Sequence, residues 1–269
     1  MPDSLAHKPL LSWYAEQARD LPWRAPDTSP WGVLVSEVML QQTPVVRVLP
    51  VYAAWLASWP TPAALAAERP GAAVRLWGRL GYPRRALRLH EAATVITAEH
   101  GGKVPRDAVA LRLLPGVGAY TAAAVRAFAF AERVAVLDTN VRRVLGRQHA
   151  GVAVPPPAIT RTERSFAEQI LPDDPETAAS WSVAVMELGA LVCTARAPAC
   201  SRCPVASLCA WRAAGYPEPL GPRANVSTYA GTDRQCRGRI LQALRDADGP
   251  LADPAVDVTW SDDGQRERA

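Results

Sequence analysis

The chain has 269 residues, 49% of them hydrophobic, and a formal net charge of +4. That composition excludes a disordered chain, leaves room for one large core or two modest ones, and carries too little charge to point to nucleic acid by itself. No apolar run reaches the roughly eighteen residues of a membrane span, and residues 1–10, with Asp3, His7 and Lys8, lack the apolar stretch of a secretion signal, so a cytoplasmic protein is expected.

In chain order, amphipathic helical patterning recurs from about residue 5 to 191. Ser29-Pro30 reads as an N-cap followed by a first-turn proline, opening a helix to about residue 41. Thr43-Pro44 opens the next, to Trp59, and Thr61-Pro62 and Arg69-Pro70 open two shorter ones. A helix over 84–100 stops at Gly101-Gly102. Helices over 107–113 and 118–130 flank Leu114-Pro115-Gly116-Val117. Asp138 caps a helix to His149, Pro155-Pro156-Pro157 breaks the chain, and helices over 158–170 and 175–192 follow. Residues 213–227 read as a linker, 233–247 as a helix of a small C-terminal module, and 265–268 as a charged run. No strand alternation or solenoid repeat occurs, so an all-α fold is expected.

Four of the five cysteines, Cys193, Cys200, Cys203 and Cys209, fall in one short segment; Cys236 stands apart and reads as an ordinary helix residue. Cytoplasmic proteins rarely keep structural disulfides, so four clustered thiols read as a metal site. The chemistry leaves zinc and a [4Fe–4S] cluster both open. The four histidines, His7, His90, His100 and His149, show no ligand spacing.

Three further strings carry chemistry. In Leu114-Pro115-Gly116-Val117-Gly118-Ala119-Tyr120 the glycines permit a tight turn, and the amides opening the following helix suit a phosphate; a plain helix connection is the alternative. In Ser36-Glu37-Val38-Met39-Leu40-Gln41-Gln42-Thr43 the one-turn neighbours of Glu37 are Val33, Leu34, Leu40 and Gln41. An apolar face would raise its pKa and make it a general acid; a solvated helix edge is the alternative. Asp138 reads as an N-cap, or as an anion held ionised by helix amides beside a cationic transition state.

C-x6-C-x2-C-x5-C resembles the cluster loop of the endonuclease III superfamily of DNA glycosylases, and Leu114 to Ala122 resembles its helix–hairpin–helix. The resemblance implies a two-lobed all-α fold with a [4Fe–4S] cluster on Cys193, Cys200, Cys203 and Cys209. It implies phosphate contacts from Gly116, Gly118 and Arg196. Bifunctional members carry a nucleophilic lysine where this chain has Tyr120, and Lys103 is the nearest lysine.

The string around Glu37 resembles the MutY family of adenine-specific glycosylases. Agreement runs from residue 21 to 209 and includes Leu21-Pro22-Trp23-Arg24, Leu80-Gly81-Tyr82 and Met186-Glu187-Leu188-Gly189-Ala190. This resemblance implies Glu37 as catalytic acid, Asp138 as transition-state anion, and Tyr120 and Asn140 beside the sugar and the Asp. It implies an adenine pocket near Trp23, Arg24 and Glu187. It further implies that Gln41, Gln42, Thr43, Leu80 and Tyr82 meet the base opposite. Tyr82 is followed by Pro83 where many relatives have a second tyrosine, and the chain lacks the length for the oxidised-guanine-reading C-terminal domain of many members.

The expected molecule is a monomer acting on double-stranded DNA with an adenine opposite 8-oxoguanine or guanine. Its expected lobes are residues 21–133, with the hairpin, and residues 1–20 with 134–216, carrying the cluster; residues 217–269 form a linker and partial C-terminal module. A strand-nicking pyrimidine glycosylase of the same fold, and a non-enzymatic iron–sulfur DNA-binding protein, are the alternatives.

Overall fold

A computed structural model describes residues 4–219, 229–247, 249 and 259–268. Among these, every regular element is helical. The first eight α-helices are α1 (Ser4–Gln17), α2 (Pro30–Leu40), α3 (Val45–Ser58), α4 (Pro62–Ala66), α5 (Pro70–Trp77), α6 (Arg84–Glu99), α7 (Ala108–Leu113) and α8 (Ala119–Phe130). Then follow α9 (Thr139–His149), α10 (Arg161–Ile170), α11 (Pro175–Leu191), α12 (Ala210–Ala213), α13 (Asp233–Asp246) and α14 (Asp263–Glu267).

Local chemistry sets most boundaries. Ser29 accepts from the Gly32 amide at 3.1 Å ahead of Pro30, and Asp174 caps α11 ahead of Pro175. Two starts differ from expectation. Thr43 does not cap α3, because its hydroxyl donates to the Leu80 carbonyl at 3.2 Å and accepts from Arg85 at 2.9 Å. The helix expected from residue 158 begins at Arg161, since the Ala158 carbonyl is taken by Arg142 and the Thr160 hydroxyl caps the first turn. The expected charged run at 265–268 mostly forms α14, tied to α13 through Arg268 and Asp233 at 3.1 Å. The expected linker lies inside the described residues only as far as 219.

Buried side chains fall into two main clusters. One fills the space among α2 to α8 and includes Trp31, Trp55 and Trp77; the Trp55 ring meets Trp59 and Trp77 edge-on, with centroids 4.8 and 5.7 Å away. The other joins Leu10 of α1, Val144 and Leu145 of α9, Ile170 of α10, Trp181 and Leu188 of α11, and Val205 of the cysteine loop. Burying side chains of this size contributes about 1.5–3 kcal/mol each. A small third cluster of Ala124, Ala127 and Val136, with Met186 packed against it, connects α8 to α11. Helix α11 approaches α9 so closely at Gly189 that a Cβ there would lie 2.7 Å from the Asn140 Cβ. Glycine is thereby required beside the first turn of α9.

Candidate active site and DNA-facing surfaces

A cleft of ≈ 1320 Å³ opens between the clusters. Glu37 reaches it from α2, Tyr120 from the first turn of α8, and Asp138 and Asn140 from the start of α9. Helix α2 is buried from Trp31 to Met39, so its one acid has no solvent edge to occupy; Glu37 is 6% exposed. Burial pushes its carboxyl up to about 7, with the nearby Asp138 adding to the rise, while a hydrogen bond from Tyr120 and the charge of Arg24 act against it. Burial also holds the Tyr120 phenol well above its ordinary value, helped by both carboxylates, so Tyr120 is a neutral donor.

Asp138 caps α9. Its Oδ1 accepts from the Val141 amide at 2.6 Å and its Oδ2 from Asn140 Nδ2 at 2.9 Å. Helix amides alone would hold this acid low, as the sequence suggested. In the fold, burial outweighs those bonds and the charge of Arg143, and its pKa is raised. Asn140 is fixed in turn by Arg143, which donates to Asn140 Oδ1 at 2.8 Å, to Gly189 O at 2.7 Å and to Cys193 O at 2.8 Å. A continuous chain of hydrogen bonds thus runs from the first cluster cysteine to Asp138. Arg143 carries no motif signal in the sequence.

Glu187 lies under the cleft, 0% exposed. Arg19 donates to it from its backbone amide at 3.1 Å, Nε at 2.7 Å and Nη2 at 2.8 Å, and Arg24 Nη2 donates at 2.8 Å. Burial pushes this carboxyl up, yet the bonds and charges of the two arginines carry it down to about 2. Arg24 Nη1 is buried and finds no acceptor among the described residues. Trp23 packs edge-on against Tyr52 at 5.2 Å and also lines the cleft, so core and site roles coincide in it. Arg19 escaped the sequence reading because only the fold brings it beside a residue 168 positions away.

The hairpin joins α7 and α8. Asp107 caps α7 through the Val109 and Ala110 amides. Gly116 has φ +81°, and a Cβ there would meet Arg88 Cβ at 2.8 Å. Gly118 is the extended N-cap of α8 and faces open space. Both glycines, with Gln41, Gln42 and Thr43, line the same cleft. Leu80 and Tyr82 do not line it. Leu80 is 4% exposed and packs in the core, so only its carbonyl takes part in the neighbouring turn; Tyr82 is 45% exposed. Arg196 is exposed on the loop between the first two cysteines. Arg85, absent from the sequence reading, holds the 38–43 and 80–82 turns together.

Cys193, Cys200, Cys203 and Cys209 line one cavity with Arg147 and Trp211. Arg147 donates to Cys193 Sγ at 3.3 Å and stacks over the Trp211 ring at 4.5 Å. Burial pushes the Cys203 thiol up to about 11, and the other three cysteines add to it. The donor set fits an iron–sulfur centre: four soft ligands, Cys193 just after α11 and the other three within or at the ends of two short 3-10 turns, surround one pocket that Arg147 and Arg212 also line. Among the described residues no three cysteine, histidine or acidic side chains converge tightly enough for a single ion.

Residues 35–169 match the model of the HhH-GPD superfamily of base excision DNA repair proteins, and residues 193–209 match the iron–sulfur binding domain of endonuclease III. The chain is 53% identical to the adenine DNA glycosylase of Mycolicibacterium smegmatis over 99% of its own length and 89% of that protein's. It is 51% identical to that of Mycobacterium tuberculosis, covering 100% and 88%. A solved thermostable thymine-DNA glycosylase superposes with a TM-score of 0.71 at 26% identity, over 79% of this chain and 97% of that one. The helices, hairpin and cysteine loop therefore define a base-excision DNA repair protein of the HhH-GPD superfamily that carries an iron–sulfur domain. Within that superfamily the chain belongs to the adenine DNA glycosylases.

Proposed function

We propose that the chain hydrolyses the N-glycosidic bond of adenine mispaired with 8-oxoguanine or guanine in double-stranded DNA. The observation that carries this reading is the pairing of a buried acid, Glu37, with a half-buried one, Asp138, in different surroundings on one cleft. Glu37 accepts a single hydrogen bond from a neutral phenol and keeps its proton to about pH 7. Asp138 accepts helix-amide and Asn140 bonds. A proton shared between them therefore resides on Glu37, leaving Asp138 anionic.

Glu37 protonates a ring nitrogen of the extruded adenine, turning a poor leaving group into a good one. As the C–N bond breaks, Asp138 faces the cationic sugar, held in orientation by Asn140 and Arg143. Tyr120 orients Glu37 between the two. Arg24, anchored on Glu187, offers its unpartnered Nη1 to an acceptor on the purine beside Trp23. Water completes the hydrolysis. The chain's two lysines, Lys8 and Lys103, do not line the cleft, which supports hydrolysis without strand nicking.

The hairpin glycines and Arg196 are read as phosphate contacts, and Gln41, Gln42, Thr43 and Tyr82 as contacts to the base opposite. Core burial argues against Leu80 as a wedge in this arrangement. The cysteines are read as holding a [4Fe–4S] cluster. The match of residues 193–209 to the iron–sulfur binding domain of endonuclease III favours this centre over zinc. Bound, the cluster supplies a rigid anchor for residues 193–209. The two buried side-chain clusters support lobes at 21–133 and at 1–20 with 134–216, and α13 with α14 is read as belonging to a C-terminal module. One chain builds the whole cleft, as a monomer requires. No described helix is long and apolar enough to cross a membrane, and a cytoplasmic site of action is proposed.

Single-turnover excision on adenine:8-oxoguanine and adenine:guanine duplexes tests the reading. Glu37→Gln is expected to slow release about a thousandfold with DNA affinity retained. Release at the parental rate would refute the mechanism, and nicking of an abasic duplex without heat or alkali would refute monofunctionality. Iron and sulfide analysis of the purified chain tests the cluster.

A further inference from the structure

Arg85, in the first turn of α6, ties together two turns that are remote in sequence. Its Nη1 donates to Val38 O at 3.0 Å, Met39 O at 3.1 Å and Gln41 O at 2.5 Å. Its Nη2 donates to Thr43 Oγ1 at 2.9 Å, Leu80 O at 3.4 Å and Gly81 O at 3.0 Å. The guanidinium carbon lies 5.2 Å from the Trp77 ring centroid and 5.5 Å from that of Tyr82.

These acceptors coincide with backbone strain. Gln42 has φ +55° and Tyr82 φ +48°, two of the four non-glycine residues with positive φ among those described. A side chain in that region costs on the order of 1–2 kcal/mol, so the surroundings must impose it. Arg85 takes the carbonyl immediately before each strained residue, Gln41 O and Gly81 O, and so fixes the peptide plane that sets each φ. Thr43, just after Gln42, joins the two turns directly through Leu80 O. Only a planar fork with several donors can serve both turns at once; an ammonium cannot.

We propose that Arg85 is a positioning residue for DNA engagement, holding the side chains of Gln42 and Tyr82 in the orientation in which they meet the duplex. This rests on the reading above, in which those two residues face the base opposite adenine. Arg85 touches no reacting atom, and its loss leaves the Glu37 proton in place. It acts on binding and on discrimination of the opposite base more than on bond cleavage. Arg234 of α13 also contacts Tyr82, with its Nη2 2.5 Å from the hydroxyl and its guanidinium 4.7 Å from the ring centroid, so it is the competing holder of that side chain.

The experiment is a mutant cycle on the full chain. It measures half-saturation and maximal single-turnover rate on duplexes with 8-oxoguanine, guanine or cytosine opposite adenine. Arg85→Lys is expected to raise half-saturation about tenfold and to narrow the preference among opposite bases. The saturated rate and its pH profile should stay within about threefold of the parent. In a Gln42→Ala, Tyr82→Ala background the same change should add less than about twofold, because coupled residues are not additive. Full additivity overturns the proposal, as does an Arg85→Lys variant that binds and discriminates like the parent. An Arg234→Ala variant that reproduces the Arg85→Lys loss overturns it in favour of α13. If Gln42→Ala and Tyr82→Ala bind and discriminate normally, the reading of those residues as DNA-facing is what fails. Should Arg85→Lys not fold, Thr43→Val removes one acceptor and the link to Leu80 O while keeping the shape. It should then shift half-saturation in the same direction by a smaller factor in the parent and not in the Gln42→Ala, Tyr82→Ala background; an equal shift in both, or no shift, overturns the proposal.

Discussion

The cleft wall at Glu37 and the floor at Glu187 bury the same functional group to nearly the same depth and give it opposite characters. Both carboxyls are pushed up by loss of water. At Glu37 one phenol and a distant guanidinium oppose that push, and the carboxyl ends at about 7. At Glu187 two guanidiniums in direct contact overcome it, and the carboxyl ends at about 2. Burial alone therefore does not make an acid catalytic. The number of cations within hydrogen-bond reach decides whether a buried glutamate is a proton donor or a permanent anion that anchors its neighbours.

The contrast breaks most sharply at the floor. Glu187→Gln leaves the partly buried Arg24 and the one-third-exposed Arg19 without their counter-charge and, with solvent screening Arg19, is expected to cost about 2–3 kcal/mol in denaturant unfolding at neutral pH. The deficit should shrink as pH falls from 4.5 towards 2, where the parent loses the same carboxylate. A loss below about 1 kcal/mol would show that the triad is solvated. At the wall the sign reverses. Folded Glu37 keeps its proton to about pH 7, whereas the unfolded chain releases it near 4.5. The parent therefore loses stability as pH rises through that window. Glu37→Gln, which cannot titrate, should become more stable than the parent by up to about 3 kcal/mol above pH 7, with little gain near pH 4.5. Thermal melts across pH check this, and a flat difference would contradict a raised pKa. Over the same range the parent's excision rate should fall above pH 7 as Glu37 deprotonates. The smallest expected effect sharpens the comparison at Asp138. Arg143→Gln loosens Asn140 and should slow saturated excision about tenfold with little change in DNA affinity.

Several elements were legible because their causes are local. Ser29-Pro30 and Asp107 write helix starts into adjacent residues, and the cysteine spacing announces its loop. Glu37 was legible as a candidate, but its neighbours at one-turn spacing could not say whether its face met water. Asp138 was legible as a cap, while the direction of its pKa shift was not. Burial comes from what packs across the cleft, and it reversed the effect expected from the helix amides. Arg19, Arg85 and Arg143 were silent because each acts on carbonyls or carboxylates remote in sequence.

By itself the sequence determined the helices, most of their starts, the hairpin glycines, the four-cysteine loop and the string that carries Glu37. Each of these depends on residues within a few positions of one another. Only the tertiary structure decided that Glu37 and Asp138 share one cleft, that Leu80 is core while Tyr82 is surface, and that three arginines hold the site in place. Dielectric surroundings and long-range hydrogen bonds arise when distant segments pack, and no local pattern encodes them.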